Sequence, residues 1–122
     1  MEDDRIRTFS DLRAWQEGHR MALLTYQHTK GFPKEENFAL VNQMRRAAVS
    51  VTSNIAEGFS RHTAKDKLSF YAIALGSLTE LESQCMLAKD LGYITIQELD
   101  AFLEQSRLTQ KLIMGLRKTA QN

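Results

Sequence analysis

The fold is decided by a stretch in the middle of the chain, Gln43-Met44-Arg45-Arg46-Ala47-Ala48-Val49-Ser50-Val51-Thr52-Ser53-Asn54-Ile55-Ala56-Glu57-Gly58. At helical spacing one face is apolar and carries Met44, Ala48, Val51 and Ile55. The opposite face is not an ordinary solvated face of lysines and glutamates, because it carries Gln43, Arg46, Ser50, Ser53 and Glu57. Since serine and alanine let another backbone approach closely, the stretch predicts a helix that packs on two sides.

The length and composition predict one all-α domain. A chain of 122 residues has the size of a single domain with one core. Its content of 43% hydrophobic and 25% charged residues is typical of soluble globular proteins. The single proline and six glycines leave room for long, uninterrupted helices.

The net charge of +1 gives no global electrostatic reason to bind nucleic acid or an anionic membrane, so any such site must be local. Cys85 is the only cysteine and cannot form an intramolecular disulfide. The N-terminus lacks the apolar core of a signal peptide, and no apolar run approaches the roughly 20 residues that span a bilayer. We therefore expect a cytoplasmic protein with no membrane partner.

Capping signals divide the chain into four predicted helices. Residues 1–8 are expected to be a flexible segment, and residues 9–119 a single domain. Phe9 ahead of Ser10 resembles a helix start, and Pro33 suits the first turn of the next helix. Capping boxes are predicted for the last two helices, by Thr63 with Asp66 and by Thr95 with Glu98. The predicted helices span about residues 10–30, 34–59, 64–91 and 96–119.

Short connections make each helix run back against its neighbour, which predicts an antiparallel up-and-down four-helix bundle. The third predicted helix is apolar on nearly every side, with Leu78 and Cys85 in one row and Ile73 and Leu81 in another. We expect this helix to be buried from two directions. Self-association of the bundle is the simplest explanation.

No pattern for catalysis or for a cofactor is found in the sequence. The Glu-x-x-His pairs of a di-iron bundle are missing, and His19, His28 and His62 lack metal-ligand spacing. Cys85 lies on an apolar face and is expected to be a small core residue rather than a nucleophile. We expect a protein that is not an enzyme and that holds neither a metal nor a cofactor.

Glu82 falls in an apolar row of the third helix, so its carboxylate needs a partner, and Arg46 is the expected counter-ion. One interpretation is a groove that binds a ligand or nucleic acid. The favoured interpretation is a structural polar network that fixes helix register and subunit contacts. Its expected members are Arg46, Ser50, Ser53, Asn54, Glu57, Glu80 and Glu82.

Two groups of basic residues are candidates for nucleic-acid binding. One is expected around the turn between the second and third helices, and the other at helical spacing on the fourth helix. Such clusters usually keep a bundle soluble, but a ring of subunits would repeat them and multiply their attraction for phosphates. The candidates are Arg45, Arg46, Arg61, Lys65 and Lys67 in the first group, and Arg107, Lys111 and Lys118 in the second.

Four motifs cover nearly the whole chain, namely Phe9-x-x-Leu12-x-x-Trp15-Gln16, Phe32-Pro33-x-Glu35, the stretch 43–58 and Gly76-Ser77-x-x-Glu80-Leu81-Glu82. Together they resemble the bacterial 23S ribosomal RNA intervening-sequence proteins, to which the accessory variability protein of diversity-generating retroelements is related. The resemblance implies a four-helix bundle that assembles as a homopentameric ring, often with no assigned activity. The polar positions shared with the family are Arg46, Ser50, Asn54, Glu57, Arg61, Glu80 and Glu82, and the resemblance makes none of them catalytic.

The retroelement relatives are strongly basic, bind nucleic acid and partner a reverse transcriptase, whereas this chain has a net charge of only +1. We expect a non-enzymatic oligomeric bundle that binds RNA or DNA or acts as a scaffold. The alternatives are an adaptor for a protein such as a reverse transcriptase and a purely structural ring.

Overall fold

The computed structural model describes residues 5–121, which form four long helices and two short 3₁₀ turns without any strand. The helices are α1 (Arg13–Thr29), α2 (Leu40–Ser60), α3 (Ala64–Asp90) and α4 (Ile96–Gln121), and the 3₁₀ turns are Phe9–Asp11 and Lys34–Glu36. The predicted all-α class and four-helix architecture are confirmed. Residues 1–4 of the expected flexible segment lie outside the described residues. None of the described helices is long and apolar enough to cross a membrane.

Contacts between helices give the register of the bundle. Along α2, Arg46 reaches Glu80 and Ser50 bonds Ser77, so α3 runs antiparallel to α2. Along α4, Glu98 pairs with His28 and Gln105 bonds Glu17, so α4 runs antiparallel to α1. Each helix therefore packs on the next in the chain, and α4 closes the bundle on α1.

The first two helices begin later than the sequence predicted. The backbone N–H groups of Arg7 and Thr8 donate to the Asp11 carboxylate at 3.0 Å, so a 3₁₀ turn forms at residues 9–11 before α1 starts. These bonds lower the pKa of Asp11. Ahead of α2, the Glu36 carboxylate accepts from the Leu40 N–H at 3.4 Å, and Ala39 adopts a non-helical conformation. The predicted continuous helix from residue 34 is therefore wrong.

The last two helices start as their capping signals predicted. Thr63 Oγ1 accepts from the Asp66 N–H at 3.1 Å. Thr95 and Glu98 form a reciprocal capping box, with N–H to side-chain oxygen distances of 2.8 and 3.1 Å. Gly92, with φ of 81°, ends α3 in a backbone conformation that suits glycine.

The apolar stripe of the opening stretch lies in the core, where Met44, Ala48, Val51 and Ile55 are fully buried. Other helices contribute Met21, Leu81, Phe102 and Ile113. Within the single chain, however, α3 is buried on only one side. Ile73, Met86 and Leu87 are each about half exposed, at 50%, 47% and 50%.

Candidate functional site

A polar seam between α2 and α3 contains part of the predicted network. The Ser50 and Ser77 hydroxyls are 2.7 Å apart, and Asn54 Nδ2 donates to the Ser50 carbonyl at 2.8 Å. Arg46 donates to the Glu80 carboxylate. Since Ser77 is buried and Ser50 half-buried, these bonds satisfy polar groups that helix packing removes from water. The seam fixes the register of two helices within one chain.

Glu82, Ser53 and Glu57 lie outside this seam. The expected pair of Arg46 with Glu82 is wrong, because residues two positions apart on a helix do not share a face and it is Glu80 that faces α2. Ser53 is exposed and borders a shallow depression together with Glu57. The Glu57 carboxylate pairs with Arg61 at 3.1 Å.

The structure separates the first predicted basic group into two parts. Arg45 and Arg46 lie near the start of α2, about 22 Å along the helix from Arg61, so their expected place beside the turn is wrong. Arg45 Nε donates to Thr29 Oγ1 at 2.9 Å, and its guanidinium lies 4.5 Å from the centre of the Tyr26 ring. Arg45 therefore ties α2 to α1.

The cations at the α2–α3 turn differ in the contacts that they already form within the chain. Lys67 Nζ donates to the carbonyls of Phe59 and Gly58 at 2.8 and 3.2 Å, where it caps the end of α2. Arg61 lies 4.6 Å from the Phe70 ring centre in addition to pairing with Glu57. Lys65 is exposed and forms no ion pair with any described residue.

On α4 the three predicted cations are all exposed, but they do not lie together. Arg107 and Lys111 occupy the middle of the helix, whereas Lys118 lies near its end. Because the helices alternate in direction, Lys118 is at the same end of the bundle as the α2–α3 turn. Of the second predicted group, Lys118 therefore lies at the end of the bundle that contains the α2–α3 turn, whereas Arg107 and Lys111 lie on the side of the bundle.

The antiparallel arrangement concentrates basic residues at one end, which we call the basic end. It comprises the start of α1, the α2–α3 turn and the end of α4. Its cations among residues 5–121 are Arg5, Arg7, Arg13, Arg61, Lys65, Lys67, Arg117 and Lys118, and its acids within the same range are Asp11, Glu57 and Asp66. The opposite end is richer in acids, with Glu35, Glu36, Asp90, Glu98 and Asp100 against Lys30, Lys34 and Lys89.

A cavity of about 550 Å³ opens at the basic end, which we call the end cavity. Its lining comes from the N-terminal segment, α2, α3 and α4 and includes Leu12, Phe59, His62, Lys67, Tyr71 and Leu116. Sequence reasoning missed this cavity. Its lining residues are scattered over the chain, and no local spacing shows that they converge.

The described residues show no arrangement suited to nucleophilic or metal chemistry. Burial raises the pKa of the Cys85 thiol to about 12, and the nearby Glu82 charge acts in the same direction. A thiol in this state is protonated and unreactive at neutral pH. Within residues 5–121 no three His, Cys, Asp or Glu side chains are placed to hold a metal ion. His19 is exposed and stacks on Trp15, with the two ring centres 4.7 Å apart.

Comparison with known proteins identifies the family. A solved structure from Bacteroides thetaiotaomicron, described as a protein of unknown function from the S23 ribosomal protein family, is similar with a TM-score of 0.77. The two chains are 21% identical, and the match covers 86% of this chain and 95% of that one. A search of curated proteins gives no significant match. The family model described as 23S rRNA-intervening sequence protein matches residues 10–115, and the chain therefore belongs to this family.

Proposed function

We propose that this protein is a non-catalytic, self-associating bundle that binds RNA or DNA through its basic end. The observation that carries the proposal is the concentration of cations there, which include the exposed Lys65 and Lys118. Neither of these two side chains is neutralised by an ion pair with a described residue. Phosphates attract such cations without regard to base sequence, with an affinity that falls as salt rises.

Self-association is supported by an uncharged stripe on the outside of α3, which we call the neutral face. It consists of exposed small or apolar residues at helical spacing: Ser69, Ala72, Ile73, Gly76, Thr79, Ser83 and Met86. Phe38, just before α2, is 95% exposed. A surface that lacks charge and exposes large apolar side chains is typical of contacts with another protein. The proposed assembly is the pentameric ring that the family resemblance implies, and it would repeat the basic end once per subunit.

Fluorescence anisotropy against salt tests the binding proposal, with labelled single- and double-stranded RNA and DNA. We expect salt-sensitive binding that Lys65→Glu and Lys118→Glu each weaken. For each lost phosphate contact, the slope of the logarithm of the binding constant against the logarithm of the salt concentration should become shallower by about one. Lys30→Glu makes the same charge change at the opposite end and is the matched control. An absence of salt-sensitive binding at low ionic strength would refute the proposal, as would equal weakening by the control.

Light scattering tests the assembly. We expect an oligomer that Phe38→Ser dissociates without unfolding, because Phe38 contributes almost nothing to the core of its own chain. Leu23→Ser, on the exposed face of α1 with 58% of Leu23 exposed, is the control that should leave the mass unchanged. A monomeric wild-type protein would contradict self-association.

A second candidate function is a protein adaptor, for which the neutral face would be the docking surface of a partner such as a reverse transcriptase. This candidate predicts co-purification of a protein that Ile73→Glu disrupts, without salt-sensitive nucleic-acid binding. Purification with and without this change, followed by the anisotropy titration, separates the two functions.

A further inference from the structure

Tyr71 in the end cavity is a buried residue whose hydroxyl has no partner among the described residues. The residue is 3% exposed and lines the cavity, and no described residue forms a hydrogen bond with its hydroxyl. Burial raises the pKa of the phenol, which therefore stays neutral and can donate a hydrogen bond. The hydroxyl is not one of the buried atoms that lack a partner among the described residues, so it is accessible from the cavity and free to donate to a molecule bound there.

Lys67 supplies a second donor to the same cavity. It lies one helical turn before Tyr71 on α3, and both side chains line the cavity. An ammonium group has three N–H donors, of which the carbonyls of Phe59 and Gly58 accept two. The end cavity thus offers two donors, and much of the remaining lining is apolar, including Leu12, Phe59 and Leu116.

The surroundings of the cavity narrow the class of ligand. Arg61, Lys65 and Lys118 lie at the same end of the bundle and favour an anion outside the cavity. A fatty acid presents its one carboxylate either to the donors inside the cavity or to the cations outside it. A nucleotide satisfies both, because its base has a flat apolar face and an edge of hydrogen-bond acceptors while its phosphate stays outside.

We propose that the end cavity takes one unstacked base of a single-stranded nucleic acid, with Tyr71 and Lys67 donating to the acceptor edge of the base. This inference rests on the proposed function and specifies its substrate as single-stranded. The neighbouring phosphates of the strand contact the basic end. Duplex ends and paired bases do not fill the cavity.

Anisotropy with two labelled DNA strands tests the inference. One strand is ten thymidylates, and the other has the same number of phosphates with an abasic site at every position. We expect wild-type protein to bind the thymidylate strand about 5- to 100-fold more tightly, the range that stacking of one base supplies. Tyr71→Phe should weaken binding of the thymidylate strand about two- to tenfold and leave the abasic strand, the salt dependence and the melting temperature unchanged.

The control variant is Tyr26→Phe, which removes a hydroxyl from the exposed face of α1 and should bind both strands like the wild type. Equal affinity for the two strands, or no effect of Tyr71→Phe, would overturn the base pocket. If Lys65→Glu still weakened both strands in that case, the proposed function would stand. No binding of either strand at low salt would overturn both the proposed function and the base pocket.

Discussion

Gly58 lies where α2 approaches α3 closely, and replacing it with alanine tests how that distance is set. A Cβ atom on Gly58 would lie 2.5 Å from Tyr71 Cε1 and 2.8 Å from Tyr71 Cδ1. Ordinary contact needs about 1 Å more, so the ring or the helix has to move. Overpacking of this kind costs about 1–3 kcal/mol. Better helix propensity of alanine offsets at most about 1 kcal/mol of this cost.

Gly115→Ala is the matched control, because Gly115 is also inside a helix but a Cβ atom there would meet nothing within 4 Å beyond the backbone of its own helix. That variant should be stabilised by up to about 1 kcal/mol. Thermal unfolding followed by circular dichroism, at one fixed protein concentration, should place the melting temperature of Gly58→Ala about 3–15 °C below that of Gly115→Ala. Equal melting temperatures would show that Tyr71 yields freely and that Gly58 does not set the spacing of the two helices.

Three further predictions concern single side chains. Tyr93→Phe removes a 2.7 Å hydrogen bond to Glu36 and should lower the free energy of unfolding in urea by about 1 kcal/mol, whereas Tyr26→Phe should not change it. The pKa of Glu98 is lowered chiefly by the Thr95 N–H, and His28 also contributes. The stabilisation by Glu98 is therefore complete above the unfolded-state pKa of about 4.3 and is lost as the pH falls through the lower folded pKa. Glu98→Gln should then be less stable than the wild type at pH 6 and equally stable near pH 2, and a difference independent of pH would contradict this. Iodoacetamide at pH 8 should modify Cys85 only after unfolding, because burial holds the thiol protonated; fast modification of the folded protein, detected by mass spectrometry, would be inconsistent with that burial.

The fold was predictable because its main determinants are local. The apolar stripe through Met44, Val51 and Ile55 identifies the buried face of α2 from spacing alone. The Thr95 and Glu98 capping box likewise depends on residues three positions apart. The start of α2 was mispredicted at a point where Glu36 accepts from both the Leu40 N–H and the distant Tyr93 hydroxyl, and no local pattern reveals the second of these contacts.

The candidate site depends on contacts between residues far apart in the chain. The composition shows a net charge near zero. Because the helices alternate in direction, however, the α2–α3 turn and Lys118 lie at one end of the bundle, and most of the acids of the two other turns lie at the opposite end. The sequence favoured Glu82 as the partner of Arg46, because no local pattern shows the rotation of α3 that places Glu80 towards α2.

The sequence by itself determined the helices and their buried faces, since propensity, capping and periodicity act over a few residues. Only the tertiary structure decided that Lys67 closes α2, that the Tyr71 hydroxyl is left without a partner among the described residues and that four segments line an open cavity. These features follow from the axial register and the rotation of the packed helices. Both are set by the sum of the contacts throughout the core.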